Sequence, residues 1–206
     1  MRLLLISTCG SEGVVALANE EGVVAEQPLP GRGASEALLP ALKIVFAAAA
    51  WKVADLSAVA VVNGPGSFTG VRVGLAAAKG LCQASDTRLI ALSRLSLLAG
   101  PVGAVTAVLD AGRKEYFCGT YRDGLKLFGE LLSEPAMRAR IAGSLAVACE
   151  EKVAASLGIE LVLEPGAQEM LAAARACIAR GEWSDVALSD ANYLRRTDAE
   201  IKVHGL

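Results

Sequence analysis

The chain opens on a continuous apolar run, Leu3–Thr8, that reads as a buried β-strand. A polar turn at Cys9–Gly13 leads into a second strand, Val14–Ala18, and the tight Asn19-Glu20-Glu21-Gly22 turn into a third, Val23–Leu29. The spacing then predicts a helix over about Ser35–Trp51, a strand at Leu56–Asn63, a glycine-rich turn, a helix at Gly70–Gln83 and a strand at Leu89–Leu92.

The same pattern returns half a chain later. Val105–Leu109 reads as an apolar strand, Asp110–Lys114 as a polar turn, Tyr116–Tyr121 as a strand, Arg122-Asp123-Gly124 as a turn and Leu125–Leu132 as a strand. Ser7 then corresponds to Asp110 and Gly22 to Gly124, offsets of 110 − 7 = 103 and 124 − 22 = 102, which points to an internal duplication. The second copy is shorter and degenerate: a helix near Pro135–Ile141, a strand at Leu145–Cys149, a helix at Glu151–Leu157, a strand at Glu160–Leu163 and a helix at Pro165–Arg180. Three antiparallel strands followed by alternating helices and strands, done twice, predict an α/β protein of two mixed sheets covered by helices. That outline resembles the actin/Hsp70/sugar-kinase (ASKHA) fold. The resemblance implies two halves, residues 1–101 and 102–206, facing each other across a cleft, with the turns Ser7–Gly13 and Asp110–Lys114 pointing at nucleotide phosphates.

Composition narrows the chemistry. The 206 residues are 53% hydrophobic but only 4% aromatic, so helices packed through small side chains are expected rather than a large apolar pocket. A net charge of −2 offers no basic field for a phosphate backbone, and Arg138–Arg140 and Arg195–Arg196 are too short to form a nucleic-acid stripe. Five cysteines without a CxxC pair fit a reducing compartment, and the cytoplasm is the expected location. The single histidine, His204, argues against a histidine-built metal site. The apolar start is too short for a signal core of roughly seven residues, and Ile44 to Trp51 is far below the roughly 20 residues that span a bilayer.

The segment Asn63–Leu75 joins a buried strand to a helix, a place where backbone N–H groups often gather round an anion. It fails the known phosphate-loop patterns: from Gly64, GxGxxG puts Thr69 where the third glycine belongs, and no Gly-Lys-Ser/Thr follows. From the residues alone it is a tight turn with Ser67 or Thr69 as N-cap. As a string, however, GPGSFTGVRVGL resembles the signature of the TsaB (YeaZ) family. Asp110-Ala111-Gly112-Arg113-Lys114-Glu115-Tyr116 resembles the DARRGEVY stretch that opens that family's second half, and Tyr193-Leu194-Arg195-Arg196 its terminal YLR segment. The chain departs from the family pattern in two places. Ile6-Ser7-Thr8-Cys9 stands where an aspartate-bearing IDTA or IDTS is usual, and Gly31-Arg32-Gly33-Ala34 where a histidine often precedes the first helix.

The resemblance implies a subunit without catalysis of its own, acting in transfer of a threonylcarbamoyl group to N6 of adenosine 37 in tRNAs that read ANN codons. Its implied partners are a TsaD-like catalytic subunit and a TsaE-like ATPase, with tRNA met only through the complex, self-pairing left open and no membrane role. No cofactor is required, and the residues that would form a vestigial ATP or ADP cleft are Ser7, Thr8, Gly64, Gly66, Ser67 and Asp110. Ser7 is a poor Mg²⁺ ligand, and a metal held by an HxxxH pair, as the resemblance implies for TsaD, cannot be built from one histidine. The competing reading is a stand-alone nucleotide-binding sensor or kinase relative of the same fold. In the helix after the signature, Gly70, Gly74 and Ala78 recur every four residues and share one face with Val71 and Leu75 beside it. That nearly bare face is expected to meet another element closely: either the partner, or this chain's own sheet or its Ser35–Trp51 helix.

Overall fold

The structure is a computed structural model and describes residues 1–31 and 33–192. Two five-stranded sheets carry the molecule. The first consists of β1 (Leu3–Ser7), β2 (Glu12–Ala18), β3 (Val23–Pro30), β4 (Ala58–Val62) and β5 (Arg88–Leu92), in the order β3-β2-β1-β4-β5. The second consists of β6 (Ala104–Gly112), β7 (Glu115–Arg122), β8 (Leu125–Ser133), β9 (Ala146–Ala148) and β10 (Glu160–Leu161), in the order β10-β9-β6-β7-β8. Strand for strand the two orders are the same. β1 runs antiparallel to β2 and parallel to β4, as β6 does to β7 and β9. The second copy is degenerate at its parallel side, where β9 has three residues and β10 two.

Among the described residues six α-helices cover these sheets: α1 (Ala34–Ala49), α2 (Phe68–Ser85), α3 (Arg94–Ala99), α4 (Glu134–Ile141), α5 (Glu151–Leu157) and α6 (Ala167–Arg180). β1 and β4 are buried at every position, and apolar at all but Ser7, because both faces of their sheet are covered. Leu4, Ile6, Val59 and Val61 face α1 and α2, whereas Leu3, Leu5, Ala58 and Ala60 pack on Met170, Leu171 and Ala174 of α6. The second sheet is covered on one face by Met137 of α4 with Val153 and Leu157 of α5, and on the other by Leu95, Leu98 and Ala99 of α3.

The helices after the fifth strands are therefore exchanged. α3, which follows β5, packs chiefly on the second sheet, and α6, which follows β10, packs on the first. A cut at residue 101 separates the two sheets, yet leaves each sheet's last helix on the other side of it. Further ties hold the segment 184–192 to the first half: Ser184 donates its N–H to Leu89 O, Asn192 to Asn63 O, and Lys79 Nζ donates to the carbonyls of Ala187 and Ser189. The Tyr193–Arg196 segment and His204 lie outside the described residues.

The expected elements are found, most with shifted ends and α5 with the expected ones, and α3 was not among them. The region expected as a turn at Asp110–Lys114 is mostly strand: β6 continues to Gly112 through an irregularity, and only Arg113 and Lys114, at φ 56° and 62°, form the turn.

Candidate functional site

The first expected turn and the signature loop are laced together. Thr8 Oγ1 donates to Gly70 O at 2.6 Å, and Ser67 donates its N–H to Cys9 O at 2.9 Å. A side chain at Gly66 would overlap Cys9 O, one at Gly70 would overlap Thr8 O, and one at Gly74 would overlap Thr8 Oγ1. These glycines thus serve close backbone approach. Ser67 is the N-cap of α2, its Oγ accepting the Gly70 N–H, which resolves the choice between Ser67 and Thr69. Other polar groups of the loop are taken as well: Gly64 O accepts the Arg94 N–H, and Asn63 O the Asn192 N–H.

Of the six residues expected to line a nucleotide cleft, Ser7, Thr8, Gly64, Gly66 and Ser67 come together here. Ser7 and Thr8 are buried, at 4% and 3% exposure, rather than open to a ligand. Asp110 lies in β6 of the second sheet, its Oδ1 accepting the Gly112 N–H. The face of α2 formed by Gly70, Val71, Gly74, Leu75 and Ala78 also departs from its expectation as a partner seam. All five residues are buried, the glycines against Thr8 and Leu75 and Ala78 in the core shared with α1. Of the two elements left open in the sequence, the chain's own is the one that makes the close approach.

Between the halves lies a cluster that the sequence reading missed. Arg94, with 5% of its side chain exposed, donates from Nε to Glu164 Oε1 at 2.7 Å and from Nη2 to Glu164 Oε2 at 2.6 Å. Nη2 also reaches Cys149 Sγ at 3.3 Å, Cys149 reaches Glu164 Oε2 at 3.2 Å, and Nη1 lies 3.6 Å from Glu150 Oε1. The other oxygen of Glu150 accepts the Asp110 N–H at 2.7 Å. Burial works against the charge of Arg94, but its hydrogen bonds to and proximity of Glu164 outweigh burial and hold it charged. Burial pushes the thiols of Cys9 and Cys149 up, to about 11 and about 12, and raises the carboxyl of Glu150. Thiols so placed are poor nucleophiles near neutral pH. The signal in the sequence was a lone cation inside the apolar stretch Leu89–Ala99, where burial demands a partner. Among the described residues no three His, Cys, Asp or Glu side chains are grouped so as to hold a metal ion.

The outward side of α1 and α2 is different in character. Leu39, Ile44 and Phe68 are exposed at 65%, 52% and 51%, Arg72 lies over the Phe68 ring at 3.7 Å, and Ala76 and Gly80 leave the middle of α2 nearly smooth. No helix among the described residues is long and apolar enough to cross a membrane.

Residues 17–141, more than half of the chain, match the family model described as TsaD, tRNA N6-adenosine threonylcarbamoyltransferase. The chain is 34% identical over 128 residues to the tRNA threonylcarbamoyladenosine biosynthesis protein TsaB of Escherichia coli, covering 59% of this chain and 55% of that protein. The chain belongs to this family, on its TsaB (YeaZ) branch. TsaB of Bacillus subtilis is 32% identical over 127 residues, 59% of this chain and 56% of its own length. The chain thus aligns with about half the length of the curated TsaB relatives. The structure of YeaZ from Pseudomonas aeruginosa has the same fold, with a TM-score of 0.78 at 24% identity over 93% of this chain and 99% of that one. The fold is that of the ASKHA type, two mixed-sheet α/β subdomains of which the second is degenerate.

Proposed function

We propose that this TsaB-family chain is a non-catalytic scaffold subunit in threonylcarbamoyl transfer to N6 of adenosine 37 in ANN-decoding tRNAs. It binds a TsaD-like catalytic subunit, which a TsaE-like ATPase joins, and meets tRNA only through that complex. The observation that carries the reading is the state of the interlobe cleft. There Arg94 is bonded to Glu164 and Cys149 and lies beside Glu150, all of them the chain's own side chains. The docking surface is instead the outward side of α1 and α2, where the exposed Leu39 and Ile44 suit helix-on-helix docking and Ala76 and Gly80 permit close approach.

The test is co-purification with the TsaD-like subunit from the same organism. Ala76→Arg and Leu39→Arg each place a charge on the outward side and leave the core alone. Both variants should melt like the parent yet lose the partner, and tRNA from cells carrying them should lose the modification. Retained binding by both variants, or tight Mg·ATP binding and turnover by the chain alone, would reject the scaffold reading in favour of a stand-alone nucleotide-binding protein.

A further inference from the structure

A buried guanidinium needs an anion, and the cluster around Arg94 supplies more negative charge than that one cation requires. Its planar fork suits the two oxygens of a carboxylate and those of a phosphate alike. Both halves contribute to the surroundings of those oxygens. On the first side, a Cβ at Gly10 would stand 2.5 Å from Glu164 Oε1, so the β1–β2 turn admits the carboxylate because residue 10 has no side chain. On the second side, the Asp110 amide donates to Glu150 Oε2. A buried guanidinium, a backbone N–H and a gap at a glycine together make a binding site for an oxyanion, and here two of the chain's own carboxylates occupy it.

We propose that Glu164 and Glu150 are built-in anionic ligands of an oxyanion site centred on Arg94, and that the site takes inorganic phosphate once Glu164 is removed. Glu164 then acts as the permanent occupant that closes the cleft without any bound molecule. With both glutamates present, one positive charge faces two negative ones, and a further anion is excluded. With Glu164 gone, the fork regains its two donors, and the space beside Gly10 is open to a tetrahedral anion.

The experiment compares melting temperatures of the full chain and its variants in chloride and in millimolar inorganic phosphate at equal ionic strength. Glu164→Ala should melt several degrees lower than the parent in chloride and recover most of that loss in phosphate. The parent should not respond to phosphate, nor should a Glu164→Ala variant that also carries Arg94→Met. Should Glu164→Ala not fold, Glu164→Ser, which also removes the charge and vacates the space beside Gly10, serves in the same comparison. Absence of recovery in phosphate would reduce the cluster to a structural ion pair and overturn the proposal. Equal recovery in the parent or in the double variant would place the phosphate elsewhere and overturn it too.

Discussion

Two glycines of α2, six residues apart, do opposite work. At Gly74 an added Cβ would overlap Thr8 Oγ1, the same atom that donates to Gly70 O. Gly74→Ala should therefore push α2 away from the β1 end and weaken that bond, at a cost of about 1–3 kcal/mol in urea unfolding, as overpacking usually does. At Gly80 an added Cβ would find nothing within 4 Å and the backbone is ordinary helix. Gly80→Ala should stabilise by about 0.5–1 kcal/mol through helix propensity alone. Similar midpoints for the two variants would refute the assignment of Gly74 to close packing. The contrast shows why a small-residue repeat cannot by itself tell an inward face from an outward one.

At the scale of elements, the N-cap of α2 gives a test that separates two neighbouring hydroxyls. Ser67→Ala should cost about 1 kcal/mol because the Gly70 N–H loses its acceptor, whereas Thr69→Ala, on the exposed first turn, should cost little. Elements whose pattern is set locally were legible in the sequence. β1 and β4 announce themselves by unbroken apolar runs because both faces are covered, and α5 spans Glu151–Leu157 as expected. The duplication was visible for the same reason, each copy repeating its strand lengths. α3 was missed because six residues are too few to show a helical period. Asp110 was placed in a turn because its polar neighbours hide a strand that continues past it. The cluster at Arg94 was hidden for another reason: its partner Glu164 lies 70 residues along the chain, and a pairing at that separation leaves no local pattern.

On the scale of the whole molecule, the exchanged helices and the Arg94–Glu164 pair make the halves mutually dependent. Residues 1–101 expressed alone would lack α6, leaving Leu3, Leu5, Ala58 and Ala60 bare on one face of the first sheet. That fragment should fail to melt cooperatively by circular dichroism, and mixing it with residues 102–206 should restore a cooperative transition. A cooperative transition in the isolated fragment would count against this dependence. The same exchange has a consequence in time. Synthesis runs from the amino terminus, and domains commonly fold as they emerge from the ribosome. Here the first sheet has all five strands once Leu92 is out, but the helix that covers its second face begins only at Ala167. From the emergence of Leu92 until that of α6 the nascent chain must carry an assembled but half-naked sheet, so the first sheet is expected to complete its folding only as α6 leaves the exit tunnel.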